Sequence, residues 1–214
     1  LKDLQRECMS ELIDLLLDGS KQMHIQLTES QSKDLLSYTE LMIKWNKTYN
    51  LSAITSPSEV VKKHLLDSLS VLHYVDDSSI LDVGSGAGLP GIVIAIMRPN
   101  IDVSVIDSVG KKCHFMRFVK SQLRINNLRV INERVESHIT KSCYGQIISR
   151  AFSGVEDTIA LTKHLLCGDG HYLLMKGDHF EKEKLKDIVI KKHKIFVPYV
   201  SDARFLLQIN TKHI

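Results

Sequence analysis

The sequence lacks the features that would mark a membrane protein, a secreted disulfide-rich protein or a metalloprotein. No apolar run reaches the roughly 18 residues that a membrane span requires, and no signal-peptide pattern opens the chain. The ten histidines show no H-E-x-x-H or similar ligand spacing. The four cysteines (Cys8, Cys113, Cys143 and Cys167) form no C-x-x-C pair. We therefore expect a reduced, cytoplasmic protein without a metal, in which Cys143 and Cys167 are small buried apolar residues.

A strong charge of one sign is also missing. The 214 residues carry a net charge of +3, with a pI near 8.6, which permits an anionic partner without requiring one. Hydrophobic residues make up 43% of the chain and charged residues 25%, so a core of ordinary size can be buried. We expect one compact protein, made of a helical N-terminal extension over 1–75 and a second domain over 76–214.

The hydrophobic pattern changes near residue 75. Residues 32–50 repeat apolar side chains at helical spacing, and Ser56-Pro57 with Glu59 predicts a capping box at the next helix start. From residue 79 onward, short apolar strands alternate with helices, the last helix being predicted over 179–192. The final two strands, predicted over 194–200 and 204–210, have only a tight link and must pair antiparallel, with Pro198 on an edge strand. This pattern predicts an α/β fold with a seven-stranded, mostly parallel sheet that ends in an antiparallel hairpin.

The stretch LDVGSGAGLPG, residues 81–91, fits two glycine-rich motifs. Gly86-x-Gly88-x-x-Gly91 matches a dinucleotide-binding turn, and Asp82-x-Gly84-x-Gly86-x-Gly88 matches the turn of S-adenosylmethionine (SAM) enzymes. The predicted strand ends at Val83, so the SAM motif begins where the strand stops. Asp107 ends the next strand and can accept hydrogen bonds from ribose hydroxyls in either fold, or cap the following helix. The antiparallel end of the sheet favours SAM.

Seven motifs together resemble one family, the bacterial small-subunit rRNA guanine-N7 methyltransferases, formerly called glucose-inhibited division protein B. They are KWNKTYNLSAI (44–54), KHLLDSL (63–69), LDVGSGAGLPGIVIAI (81–96), DSVGKKCHFM (107–116), RVE (134–136), ISRAF (148–152) and LLMKG (173–177). The resemblance implies a Rossmann-like class I SAM-dependent methyltransferase that modifies N7 of a guanine in the 530 loop of 16S rRNA. Residues 1–20 and 178–214 carry little of it.

The resemblance and the glycine motif together give the expected SAM contacts: Gly84, Gly86, Gly88, Leu89, Asp107, Val135, Glu136 and Arg150. Several of these have plain structural alternatives. Leu89 could simply pack in the core, Glu136 could be a solvated acid, and Arg150 could meet the SAM carboxylate, an RNA phosphate or a structural carboxylate. His64 and Asp67 are expected to pack the extension against the glycine turn.

No catalytic acid or base is expected, because guanine N7 has a free lone pair and no proton to lose. The residues after the fourth predicted strand are Ser149-Arg150-Ala151-Phe152, which differs from the (D/N)-P-P-(Y/F) motif of enzymes that methylate exocyclic amines. Phe152 could stack on the target base or pack in the core.

Basic residues without an intervening acid fill 110–129 and indicate RNA contact, although a solvated helix would show the same pattern. The expected RNA contacts are Lys111 and Lys112, which lie nearest the expected SAM site, and Lys176, which ends the fifth strand. The expected partner is 16S rRNA or the 30S subunit, bound by a monomer. Two rival functions remain open: a nicotinamide-dependent oxidoreductase, and an RNA-binding assembly factor without catalysis.

Overall fold

A computed structural model of the chain describes residues 2–178 and 190–210, with side chains from residue 10 onward. The described residues begin with two long helices, α1 (Lys2–Gln22) and α2 (Glu29–Tyr49). A third helical segment consists of α3 (Pro57–Val60), a π-helical stretch (Val61–Leu66) and α4 (Asp67–Leu69), which follow one another without a break. A 3₁₀ turn (Leu72–Tyr74) then leads to the sheet.

The helix caps differ from the prediction. The Ser56 side chain makes no capping hydrogen bond, so the capping box predicted there is wrong, although Pro57 does take the first helical position. A capping box is instead formed at α2, where the Gln31 N–H donates to Thr28 Oγ1 at 3.2 Å and the Thr28 N–H donates to the Gln31 side chain at 3.0 Å. Glu59 forms ion pairs with Lys62 and Lys63.

From Ile80 onward, strands and helices alternate as predicted. The elements are β1 (Ile80–Val83), α5 (Gly91–Met97), β2 (Val103–Ile106), α6 (Gly110–Gln122), β3 (Leu128–Ile131), β4 (Tyr144–Arg150), α7 (Val155–Thr162), β5 (Leu166–Gly177), β6 (Lys191–Ile195) and β7 (Arg204–Asn210). Short 3₁₀ turns lie at Val135–Ser137 and Lys163–Leu165.

The described strands form one seven-stranded sheet in the order β3-β2-β1-β4-β5-β7-β6. Strands β1 to β5 are parallel, whereas β7 pairs antiparallel with both β5 and β6. The predicted sheet and its antiparallel end are therefore confirmed. The bounds predicted for the sixth strand are wrong, because it spans Lys191–Ile195 and Pro198 lies in a turn beyond it. Most of the helix predicted over 179–192 lies outside the described residues, and Lys191 and Lys192 belong to β6.

The first helices and the sheet share a hydrophobic cluster. Leu35, Met42 and Leu65 pack in the same cluster as Ile92 and Phe115, all nearly or fully inaccessible to solvent. Every residue of β1 and β2 is buried, as expected for central parallel strands covered on both faces. The division into two domains at residue 75 remains a prediction. The segments before and after residue 75 contact each other through this shared hydrophobic cluster.

Two findings concern the absences noted in the sequence. A disulfide joins Cys143 and Cys167, so the expectation that both are unpaired apolar residues is wrong; Cys113 is a buried thiol. Among the helices of the described residues, none has the length and apolar character to cross a membrane.

Candidate functional site

The glycine-rich segment after β1 forms a tight turn at the carboxyl end of the sheet. Gly84 and Gly86 have φ values of +67° and +60°, a backbone conformation that side chains with a Cβ rarely adopt. A Cβ on Gly84 would lie 2.5 Å from the Phe152 ring, whereas a Cβ on Gly86 would have no atom within van der Waals range other than the Gly84 carbonyl oxygen at 4.0 Å. The turn therefore packs closely on its Phe152 side and is open at Gly86.

Asp82 fixes this turn from beneath. Its Oδ2 accepts a hydrogen bond from the Gly91 N–H at 2.9 Å, and the Ser85 hydroxyl donates to the Asp82 carbonyl oxygen at 2.7 Å. Burial raises the pKa of Asp82 to about 7, and the Gly91 N–H, which stabilises the ionised carboxylate, partly opposes this rise. Because it lies beneath the turn, Asp82 contributes to the shape of the site.

Tyr38 holds the turn from the helical extension. Its hydroxyl donates to the Ala87 carbonyl oxygen at 2.9 Å, and the side chain is fully buried. Burial raises the pKa of Tyr38 far above its usual range, so the hydroxyl keeps its proton and remains a donor. The extension thus helps to set the conformation of the glycine turn.

Asp107 connects the turn to the next strand. Its Oδ2 accepts from the Gly86 N–H at 3.0 Å, and its Oδ1 accepts from the Val109 N–H at 2.8 Å. Lys112 Nζ lies 3.6 Å from Oδ2. The possible capping role is thus partly realised, since Asp107 satisfies a backbone donor just before α6. Each carboxylate oxygen also has a second lone pair for a ligand hydroxyl.

Two cavities meet at this turn. The first, of about 460 Å³, lies between the extension and the ends of β4, β5 and β7, and four cationic side chains are in its lining: Lys63, Arg150, Lys176 and Arg204. The second, of about 380 Å³, lies beside the ends of β2 and β3 and is lined by Asp107, Val135, Glu136 and Phe152, among others. Gly84 and Ala151 line both cavities.

The expected site residues divide between the two cavities. Gly84, Gly86, Leu89, Arg150 and Lys176 line the first cavity, and Gly84, Asp107, Lys112, Val135 and Glu136 line the second. Gly88 lines neither cavity, and a Cβ there would collide with the Ile92 side chain. Lys111 is exposed outside both. Phe152 lies on the second cavity, against Gly84.

Comparisons with known proteins match this architecture. The model of the family "rRNA small subunit methyltransferase G" matches residues 31–206. A protein named ribosomal RNA small subunit methyltransferase G from Ruthia magnifica is 54% identical over 193 residues, which is 90% of this chain and 95% of that one. The protein of the same name from Francisella philomiragia is 40% identical and covers 95% of this chain and 100% of its own.

This chain belongs to the rRNA small subunit methyltransferase G family. Solved structures agree on the fold. A SAM-dependent methyltransferase from Aquifex aeolicus gives a TM-score of 0.54 at 17% identity, covering 73% of this chain and 94% of its own. TrmN from Thermus thermophilus gives 0.53 at 13% identity, covering 70% and 53%. The resemblance noted in the sequence is therefore confirmed, as is the class I methyltransferase fold.

In this family member, Arg150 is part of an ion-pair network with Asp67. Arg150 Nη1 lies 3.1 Å from Asp67 Oδ2, and Arg204 Nε lies 3.2 Å from Asp67 Oδ1, so one buried carboxylate holds two arginines at the first cavity. Arg150 Nη1 also lies 3.3 Å from His64 Nδ1. Burial and the neighbouring Arg150 lower the pKa of His64 to about 4, so its ring is neutral at neutral pH. His64 and Asp67, for which the sequence predicts only a packing role, therefore also contact the Arg150 side chain.

Lys176 and Glu136 contact other groups near the cavities. Lys176 Nζ donates to the Ser153 carbonyl oxygen at 2.7 Å, and Glu136, whose side chain is 43% exposed, lies 3.7 Å from Arg134. Among the described residues, no group of three or more His, Cys, Asp or Glu side chains could hold a metal ion.

Two residues that contribute to this site have no functional prediction from the sequence. Tyr38 belongs to the segment 32–50, for which the sequence predicts only a helix, and Arg204 begins the last predicted strand, 204–210. A tyrosine on an otherwise apolar face is a signal, because its buried hydroxyl needs a partner. The pairing of Arg204 with Asp67, which is 137 residues away in the chain, has no local signal.

Proposed function

We propose that this protein transfers the methyl group of SAM to N7 of a guanine in the 530 loop of 16S rRNA. The observation that carries the proposal is the pair of cavities that meet at Gly84, one lined by acceptors at the ends of β2 and β3 and the other lined by cations. In open α/β sheets, ligands bind beyond the carboxyl ends of the strands, where both cavities lie.

The second cavity has the donor and acceptor set that suits an adenosine group. Asp107 offers lone pairs to ribose hydroxyls, Val135 offers an apolar surface to a base, and Glu136 offers an acceptor to an exocyclic amine. Its volume of about 380 Å³ falls within the range of small-molecule sites. The glycine turn, open at Gly86, leaves room for the rest of the cofactor to pass toward the first cavity.

The bound cofactor would supply a methyl group activated by a positively charged sulfur. The chain's task is then to orient the guanine, because N7 already carries a lone pair and gives up no proton. Positioning and electrostatics suffice for such a displacement. We accordingly assign no catalytic acid or base.

The first cavity suits the target nucleotide. Its apolar lining residues Leu89 and Met175 can pack against a base, while Arg150 and Lys176 face the same space and can bind phosphate oxygens or the cofactor carboxylate. Lys111 and Lys112 lie at the start of α6, beside the second cavity, and would bind RNA nearby. We infer a cytoplasmic monomer that acts on 16S rRNA, either free or within the 30S subunit.

Mass mapping of modified guanines in rRNA from cells with and without this protein tests the proposal. We expect one N7-methylguanine of the 530 loop to disappear in the deletion strain and to return when purified protein and SAM are added to its 30S subunits or to protein-free 16S rRNA. Rival functions have separate readouts. Calorimetric binding of NAD but not SAM would indicate an oxidoreductase, and SAM-independent rRNA binding without labelling would indicate an assembly factor.

A further inference from the structure

An aromatic cluster lies between α2 and α6, outside both cavities. The Trp45 ring stacks on Tyr49 with centroids 5.0 Å apart, and it contacts the rings of His114 and Phe118 at 5.4 Å and 5.1 Å. Tyr49 remains 38% exposed, and His114 is exposed as well. This cluster therefore leaves part of the Tyr49 and His114 rings exposed at the protein surface, whereas most apolar side chains of the described residues are buried.

The chain around the cluster has basic residues and no acids. Neither 41–58 nor 108–132 contains an aspartate or glutamate. Lys44 and Lys47 on α2, and Lys111 and Arg117 on α6, are all exposed. Lys44 is adjacent to Trp45, and Lys111 lies one helical turn before His114. Two segments that are 50 residues or more apart in the chain thus combine into one cationic, aromatic surface.

The position of this surface relates it to the site already described. Leu51 and Ser52, two and three residues after Tyr49, line the first cavity, and Lys112, next to Lys111, lines the second. The surface therefore borders residues that line both cavities, so a nucleic-acid strand bound on it lies next to the site.

We propose that this α2–α6 surface, defined by Lys44, Trp45, Tyr49, Lys111, His114 and Phe118, is a second rRNA-binding surface. It takes unpaired nucleotides that flank the target guanine, one base stacking on Tyr49 and the neighbouring phosphates contacting Lys44 and Lys111. Proteins bind single-stranded nucleic acid with exposed rings that alternate with cations, because a ring can stack on any base and the cations bind the phosphates along the backbone. The inference rests on the proposed rRNA methylation and adds a binding surface to it.

Two surface variants test this proposal with intact protein. Tyr49→Ala removes the exposed ring, and K44Q/K111Q removes two cations. We expect each to raise the KM for protein-free 16S rRNA about tenfold, with kcat and the calorimetric Kd for SAM unchanged. Tyr49→Phe keeps the ring and should bind as the wild type does. For K44Q/K111Q, the slope of log affinity against log salt should fall by about 0.7 for each single-strand phosphate that the variant no longer neutralises.

Matched controls lie elsewhere on the chain. Lys33→Gln lies near the start of α2, and Phe196→Ala removes a ring that is 62% exposed, so neither should change rRNA affinity. Unchanged KM and salt slope in both surface variants would overturn the proposal. So would variants that weaken binding to 30S subunits but not to protein-free rRNA, since the surface would then contact a ribosomal protein. If the wild type binds rRNA but transfers no methyl group to N7, the proposed function fails, while variant-dependent rRNA affinity still supports this surface.

Discussion

The Tyr38 hydroxyl donates a hydrogen bond to the Ala87 carbonyl oxygen at 2.9 Å, so a helix of the extension supports the glycine turn directly. Ala87 lies between Gly86 and Gly88, whose positive φ values give the turn its shape. The extension therefore forms part of the scaffold of the proposed cofactor site. Its effect on SAM should be measurable even though Tyr38 does not line either cavity.

Tyr38→Phe removes this hydrogen bond while keeping the ring. We expect a loss of about 1–3 kcal/mol in the free energy of unfolding, because the Ala87 carbonyl is left without its buried donor. SAM affinity should fall by several-fold as the turn loosens. Urea unfolding and calorimetry with SAM measure the two effects. Ser37→Ala, one residue earlier on the same helix and only half-buried, serves as the control.

Gly84→Ala and Gly86→Ala separate packing from backbone strain in the turn. Both substitutions introduce a Cβ at positive φ, which costs roughly 1–2 kcal/mol, but only Gly84→Ala also meets the Phe152 ring. We expect Gly84→Ala to lose more stability than Gly86→Ala, and both to weaken SAM binding. In a Phe152→Ala background, Gly84→Ala should cost less stability than it does in the wild type, because the ring that its Cβ meets is absent. Equal stability losses in the two single variants, measured by urea unfolding, would contradict this account.

The sequence predicted the sheet well because its signals are local. Apolar segments bounded by glycine and polar residues identified β1 to β5, and the tight link before Arg204 required an antiparallel partner. The sixth strand was misplaced because Lys191–Ile195 carries almost no apolar pattern, and as an edge strand it is defined mainly by its backbone hydrogen bonds to β7. The predicted segment after it contains more apolar residues but turns at Pro198.

The features that the sequence does not predict depend on contacts between residues that are far apart in the chain. Register pairs Tyr144 with Leu166, which brings Cys143 and Cys167 side by side although their spacing of 24 residues gives no pattern. The glycine turn and Asp107 were found because both follow strand ends. The partners that hold Arg150 were not, because Asp67 belongs to a helix 83 residues earlier and its paired role depends on tertiary packing.

Asp67→Asn tests whether one carboxylate holds both arginines at the first cavity. The substitution keeps the side-chain shape but leaves Arg150 and Arg204 without their common counter-charge. We expect a loss of roughly 1–3 kcal/mol in the free energy of unfolding, since both hydrogen bonds to a charged acceptor weaken. Glu59→Gln is the matched control, because Glu59 pairs with Lys62 and Lys63 at the surface, where solvent screens the ion pairs, and should change stability much less than Asp67→Asn does. Equal losses in the free energy of unfolding for both variants would show that the buried Asp67 pairs stabilise the protein no more than the surface pairs of Glu59 do.

Asp82 should make the stability of the folded protein depend on pH. Burial raises its pKa from 3.8 to about 7 in the folded protein. Between about pH 4 and pH 7 the folded state therefore binds more protons at this carboxyl than the unfolded state does. Its contribution to the free energy of unfolding falls as pH rises through that window, with a slope of up to about 1.4 kcal/mol per pH unit, and levels off above it.

His64 acts in the opposite direction, because its folded pKa is lowered from 6.5 to about 4. Its contribution to stability rises with pH across much of the same window, so the wild-type curve alone does not isolate Asp82. The measurement is the difference in unfolding free energy between the wild type and Asp82→Asn, followed by urea unfolding from about pH 4.5 to 7.5. As pH rises, the free energy of unfolding of the wild type should fall relative to that of Asp82→Asn. Relative to that of His64→Gln, it should rise. A pH-independent difference for Asp82→Asn would show that this carboxyl is already ionised at the acid end of the range, and that the hydrogen bond from the Gly91 N–H outweighs its burial.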